Sequence, residues 1–163
     1  MFFGLLVSFL DLNLNRVNFL PDLAGYVLLI IACRNLMGVS LRFRYAGGFA
    51  IACAFCWLLS FSRDLSDVLG FVTPICQSGL IWMLMHGISD YCNAHDKPAF
   101  ARFATKAAWW FVVPTGLLTL LSLPGANLGG FSVILAVAFF VALAMNLIAV
   151  WRAGSLAGRT PAY

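Results

Sequence analysis

Charged residues are scarce in this 163-residue chain, at 10% of the total, whereas 63% of its residues are hydrophobic. A soluble domain has about 25% charged residues and roughly 45–50% apolar residues. So few charges do not cover the surface of a soluble domain of this length, and we therefore expect lipid to be the solvent for much of it. We predict one integral membrane helical domain over residues 1–163.

Motifs for common catalytic and metal sites are also absent from the sequence. It has no glycine-rich phosphate loop, no nucleophile motif and no EF-hand. The net charge of +4 comes from short loops between apolar runs, which fits a membrane surface better than nucleic acid. We therefore expect no nucleic-acid partner, no metal and no cofactor. No basic segment precedes the first apolar run, so we expect no signal peptide.

Six apolar runs predict an all-α protein. The first, Phe2–Leu10, would span about 13 Å as a helix, less than half of a ~30 Å hydrocarbon core. The fold prediction is a polytopic transmembrane helix bundle with five full spans and a short or broken N-terminal helix. The five runs assigned to full spans are Phe19–Cys33, Tyr45–Phe61, Val68–Gly87, Ala107–Leu123 and Phe131–Trp151. Residues 90–106 are predicted to be a polar connector, with a short surface helix starting at Pro98.

Residues 11–26, DLNLNRVNFLPDLAGY, form a polar stretch between apolar segments. If the first helix stops near Asp11, the next residues are irregular backbone, which membranes tolerate only where protein or water surrounds it. If the helix continues, three polar residues share one face at spacings of four and three. Either arrangement turns polar groups inward. The predicted transport path consists of Asp11, Asn15, Arg16, Asn18 and Asp22.

Ionisable residues inside a membrane usually mark ion, proton or substrate paths. The leading functional prediction is therefore a homo-oligomeric channel or a small-solute or ion transporter. A structural interpretation is also open. In it, Arg16 forms an ion pair with Asp11 or with Asp22, and the paired side chains reach the outer interface of the membrane. Small residues at four-residue spacing, as at Gly48 and Ala52 and at Ala138 and Ala142, predict close helix contacts and an oligomer.

Three alternatives to a channel or transporter remain open. Two are membrane enzymes, catalysing thiol redox chemistry or lipid modification, and the third is a non-catalytic subunit. Cys53 and Cys56 form a Cys-x-x-Cys pair typical of thiol oxidation, but in mid-helix they read more simply as small apolar residues. The histidine-containing segment 86–96 offers metal-binding side chains, without a zinc spacing. A lipid-modifying enzyme would use one of these two places. An assembly or regulatory subunit would use neither.

Arginine and lysine set the expected orientation in the membrane. Eight of the ten basic residues fall on one side of the predicted topology, against Arg16 and Arg63 on the other. The positive-inside rule then places the eight in the cytoplasm. Within this group, the basic turn is expected to contact anionic lipid headgroups through Arg34, Arg42 and Arg44.

The segment FLDLNLNRVNFLPDLAGYVLL, residues 9–29, resembles the N-terminal part of small multi-spanning bacterial membrane proteins. In that group an aspartate, here Asp11, ends a short apolar run, and an LPD-x-x-GY motif opens the next helix. That motif corresponds here to Leu20–Tyr26. The resemblance implies a multi-pass protein of the bacterial inner (cytoplasmic) membrane, and it implies no particular activity.

Overall fold

Five α-helices make up the part of the chain that the computed structural model describes, residues 19–60, 66–121 and 131–157. Within these ranges the protein is all-α, as predicted. The predicted short N-terminal helix lies outside the described residues. The helices are α1 (Phe19–Asn35), α2 (Leu41–Leu59), α3 (Ser66–Ala94), α4 (Pro98–Leu121) and α5 (Phe131–Ala157).

The long polar connector predicted over residues 90–106 is wrong, because α3 and α4 are separated by only three residues. The end of α3 closes as a Schellman motif, with Lys97 N donating to the Cys92 carbonyl at 2.8 Å and Asp96 N donating to the Asn93 carbonyl at 3.3 Å. Asp96 takes the left-handed conformation that this motif requires, with φ of 55°. Pro98 then occupies the first position of α4, where its missing N–H costs nothing.

Consecutive helices pack side by side, and α3 also contacts α5. The backbone of Gly47 on α2 faces Cys33 on α1, while Trp82 on α3 meets Trp109 on α4 with ring centroids 4.8 Å apart. The rings of Phe111 on α4 and Phe139 on α5 lie 5.3 Å apart. The result is an antiparallel bundle with α3 at its centre.

Of the four residues on the predicted four-residue stripe of α2, Gly48, Ala52, Cys56 and Ser60, Cys56 alone is buried in the bundle. Gly48 on that stripe is exposed, whereas the buried face consists of Phe43, Ala46, Gly47, Ala50, Cys53 and Cys56. A helix has 3.6 residues per turn, so steps of four residues drift around it by about 40° each. Alternating steps of three and four residues stay on one side, and that is the side packed on α1 and α3.

Two glycines of α3 receive two aromatic rings from α2. A Cβ built on Gly79 would lie 2.5 Å from the ring of Phe49, and one on Gly87 would lie 3.0 Å from the ring of Phe43. Neither site has room for a side chain without displacing a ring. These contacts fix how closely α2 and α3 approach and at what height along each other.

By length and composition, two of the described helices are long and apolar enough to cross a membrane, over Val68–Ala94 in α3 and Val137–Ser155 in α5. A shorter apolar helix covers Leu23–Asn35 in α1. In α2 and α4, basic residues near the helix start interrupt the apolar sequence. The structure thus has a helix at each of the five apolar runs predicted to span the membrane, and two of these helices meet the length and composition of a span.

Substituting Gly79 with alanine tests the contact between α2 and α3. Overpacking a filled site costs about 1–3 kcal/mol, so we expect Gly79→Ala to lower the thermal midpoint of the detergent-solubilised protein. Gly70→Ala on the same helix is the matched control, because nothing lies within 4 Å of its added Cβ. That control should be neutral or should stabilise by up to about 1 kcal/mol through helix propensity. Equal effects of the two substitutions would contradict the packing described.

Candidate functional site

The predicted transport path falls almost entirely outside the described residues. Asp11, Asn15, Arg16 and Asn18 all precede Phe19, where α1 begins. Asp22 belongs to the first turn of α1, a position where the helix dipole favours an acidic residue. The grouping of these residues around a path stays a prediction.

The described basic residues gather at one end of the bundle. Ser40 contacts Asp90 and Thr105 contacts Ser89, so the α1–α2 turn, the end of α3 and the start of α4 lie together. The contact of Asn146 with Ala107 brings the C-terminal half of α5 to the same end. Of the ten basic residues, the seven in the described ranges lie at or near this end. They are Arg34, Arg42, Arg44, Lys97, Arg102, Lys106 and Arg152.

A polar cluster at this end joins α2 to α3. Ser40 caps the N-terminus of α2 by accepting a hydrogen bond from Arg42 N, and its hydroxyl donates to Asp90 Oδ2 at 2.8 Å. Arg42 Nε lies 3.1 Å from the same carboxylate oxygen. The two charged side chains keep 44% and 40% of their surface exposed, so the pair contributes about 1 kcal/mol or less to stability. Its main effect is to dock the α1–α2 turn on α3.

Arg42 has a protein partner, Asp90, and its expected contact with lipid headgroups stays a prediction. Arg34 and Arg44 are exposed at the same end of the bundle. They are in position for the expected headgroup contact, which stays a prediction. The Ser40–Asp90 contact was not visible in the sequence because 50 positions separate its partners.

The histidine segment is not assembled as a metal site. His86 Nδ1 lies 2.9 Å from the Trp82 carbonyl, and His95 Nδ1 lies 2.9 Å from the Tyr91 carbonyl. A carbonyl oxygen only accepts hydrogen bonds, so each contact places a proton on Nδ1. Both rings are therefore held against their own helix. Among the described residues no three His, Cys, Asp or Glu side chains form a group able to hold a metal ion.

Asn146 is the most deeply buried polar side chain that the structure describes, with 1% exposure. Its Nδ2 donates to the Ala142 carbonyl at 2.7 Å and to the Ala107 carbonyl at 3.2 Å. Exchanging the amide oxygen and nitrogen would aim the oxygen at two acceptors, so this orientation is the consistent one. Its Oδ1 has no hydrogen-bond partner. The amide ties α5 to α4, as polar side chains do between helices in lipid.

Three cysteines meet where α2 packs on α3. Cys53 is fully buried and Cys56 is 7% exposed, and Cys76 lies close to Cys56. All three are free thiols. They lie in an apolar helix contact, and the expectation that they only fill space there stays a prediction.

Replacing both cysteines of the Cys-x-x-Cys pair with alanine tests whether they only fill space. We expect Cys53→Ala with Cys56→Ala to preserve expression and function, at a cost of about 1 kcal/mol or less, because alanine keeps the small volume. Thermal unfolding in detergent and the functional assay described below measure the two effects. Complete loss of function in a normally folded double variant would instead assign redox chemistry to the pair.

Comparison with known proteins supplies no relative for this chain. No protein-family model matches it, and neither a curated protein nor a solved structure is similar to it. Its function is therefore inferred from the placement and chemistry of its own residues.

Proposed function

We propose that the chain is a multi-pass protein of the bacterial inner membrane. The observation that carries the proposal is the apolar outer surface of the helices. Ile75, Leu120 and Phe140 on α3, α4 and α5 are 63%, 64% and 67% exposed, and Phe55 on α2 is 61% exposed. Soluble monomers rarely expose contiguous apolar patches larger than a few hundred Å². A hydrocarbon surround removes that cost.

Five spans are consistent with the helix lengths. The 19 residues of α2 extend about 28 Å, and the 24 residues of α4 extend about 36 Å, at 1.5 Å per residue. Their basic residues lie near the helix starts, from which long side chains reach the headgroup region. The 17 residues of α1 extend about 25 Å, which suits a span with slight local thinning.

The gathering of basic residues at one end supports an orientation with that end in the cytoplasm. The positive-inside rule counts lysine and arginine close to the ends of the spans. All of the lysines and arginines in the described ranges meet this condition at a single end. The cytoplasmic leaflet is also the anionic one, which adds to the preference.

The proposed activity is passage of an ion or small solute through a homo-oligomer. The interior of the described bundle is filled by apolar side chains, among them Leu29, Ile81, Leu84 and Phe111, each fully buried. A path for a polar species would therefore run between copies, or along the N-terminal polar residues. Gly48, which is exposed and has open space around it, leaves a face of α2 that a second copy can approach closely.

A thiol-redox membrane enzyme is the second candidate, and the proximity of the free thiols of Cys56 and Cys76 favours it. In such a step the two thiols form an S–S bond and pass two electrons and two protons to a membrane quinone. Loss of function in the cysteine variants described above would select this candidate over transport.

Single-cysteine labelling tests the proposed topology. In a cysteine-free background, we expect Gly38→Cys and Asn93→Cys, both at exposed positions, to react with a membrane-impermeant maleimide only after the cells are opened. Ser60→Cys, at the exposed end of α2, lies at the opposite end of the bundle and should react in intact cells. Labelling of position 38 or 93 from the periplasm would contradict the orientation.

Removing the charge of Asp11 tests the proposed path. Asp11→Asn keeps size and hydrogen bonding, so a path that needs the charge should lose flux or change ion selectivity while the protein still assembles. Liposome flux assays, read beside thermal stability in detergent, measure both properties. Asp96→Asn is the matched control, because it removes the same charge from an exposed turn and should leave flux unchanged.

A structural role for Asp11 predicts the reverse pattern. Flux would then be near normal, and damage would appear as lower thermal stability, more severe in Asp11→Leu than in Asp11→Asn. Unchanged flux and selectivity in a well-folded Asp11→Asn protein would refute the charged path.

A further inference from the structure

An apolar groove runs between α4 and α5 on the outer surface of the bundle. It has a volume of about 310 Å³, and its walls include Trp109, Trp110 and Pro114 of α4 and Leu135 and Ala138 of α5. This volume lies at the lower end of the range typical of small-ligand sites. Each wall contributes one compact side chain to the lining, Pro114 on α4 and Ala138 on α5.

Basic residues continue the α4 wall of the groove toward the basic end. At about 100° per residue, Lys106 lies within about 20° and Arg102 within about 60° of the mean direction of the α4 residues that line the groove. Both basic residues are therefore on the groove side of α4. Arg102 and Lys106 are both exposed. The groove therefore has positive charge beyond one end and apolar walls along its length.

The α5 wall of the groove also leads from apolar residues to a basic residue at the basic end of the bundle. Ala138 and Arg152 are 14 residues apart, close to four helical turns, so they lie on the same side of α5. Because Asn146 of α5 contacts Ala107 of α4, Arg152 lies at the height of the first turns of α4. Both walls thus end in basic residues at the same height.

The dimensions match one leaflet of a bilayer. Lys106 precedes Trp110 by one helical turn, about 6 Å, and Leu117, the last groove residue of α4, lies about 10 Å further along the axis. The sum is close to half of a ~30 Å hydrocarbon core. A phosphate held near Lys106 would place one acyl chain along the groove.

We propose that the groove between α4 and α5 binds one anionic phospholipid, with an acyl chain between Trp110 and Ala138 and the phosphate near Arg102, Lys106 and Arg152. The proposal rests on the membrane location proposed above, and it does not depend on the transport activity. Exposed tryptophans, 53% for Trp109 and 54% for Trp110, suit the level just below the headgroups.

Quenching of tryptophan fluorescence by brominated lipid tests the site in the full-length protein. The probe is dibrominated phosphatidylglycerol, mixed in increasing amounts into phosphatidylcholine vesicles that contain the protein, and dibrominated phosphatidylcholine is the reference. The groove signal is the difference in quenching between the wild-type protein and a variant that carries both Trp109→Phe and Trp110→Phe. We expect it to saturate, with at least about tenfold preference for the anionic lipid.

Two pairs of variants separate the site from general lipid contact. Arg102→Gln with Lys106→Gln should reduce the preference about tenfold, since each basic residue near the surface contributes severalfold. Arg34→Gln with Arg44→Gln removes the same charge from the same end and should leave the groove signal unchanged. Ala138→Phe should abolish saturable quenching by filling the groove, whereas Val137→Phe, at a neighbouring exposed position outside it, should not. Circular dichroism and the detergent elution volume verify the fold of each variant.

Each result decides between the site and its alternatives. Equal, non-saturating quenching by both lipids in a protein that stays in the vesicles would overturn the site and leave the membrane location intact. A change of oligomeric state in Ala138→Phe without a change in quenching would assign the groove to a second copy and also overturn the proposal. Recovery of the protein in the aqueous fraction without detergent would instead refute the membrane location itself.

Discussion

The close approach of α2 and α3 depends on two glycines that leave room for two phenylalanine rings. Phe49 occupies the space beside Gly79, and Phe43 occupies the space beside Gly87. With this register fixed, Ser40 at the start of α2 reaches Asp90 near the end of α3. The same register brings Cys56 to Cys76. Because α3 also carries the contacts to α4 and α5, the heights of the other helices follow from this pair.

The register of α2 and α3 leaves the bundle with basic residues at one end and an apolar outer surface. The basic residues of the described ranges meet at one end because consecutive helices are antiparallel and these residues lie near the helix ends that meet there. One carboxylate at that end, Asp90, forms an ion pair with Arg42. The other basic residues at that end are exposed. Those of α4 and α5, Arg102, Lys106 and Arg152, lie beyond the end of the groove. A single arrangement of helices thus accounts for both the proposed orientation and the proposed lipid site.

The sequence predicted the helices well, because each apolar run is long and is bounded by polar or turn residues. It also predicted the basic end, since the positions of lysine and arginine depend only on the order of the runs. It misplaced the start of α4, where Arg102 and Lys106 resemble a surface segment although they belong to the first turns of a long helix. It did not show that α2 packs within the bundle mainly through another face, because residues four apart drift around a helix and do not form a straight stripe.

Other parts of the site depend on contacts that no sequence pattern signals. Nothing in the sequence around Ser40 or Asp90 indicates that they pair, because their contact depends on the register of α2 and α3. Asn146 appears as an isolated polar residue, and its two carbonyl partners are visible only once α4 lies beside α5. The groove has Pro114 on one wall and Ala138 on the other, and it forms only once α4 lies beside α5. The N-terminal polar residues were the clearest functional signal in the sequence, and they lie outside the described residues.

The central claim is that the outward faces of these helices meet lipid, and spin-label accessibility along α5 tests it most directly. Labels at Val137, Phe140 and Val141, which are at least 50% exposed, should collide often with oxygen and rarely with a water-soluble nickel reagent. Labels at the fully buried Ala142 and Ala149 should collide rarely with both. Nickel collisions that exceed oxygen collisions at Phe140 and Val141 in reconstituted protein would show that this face meets water, and would contradict the account.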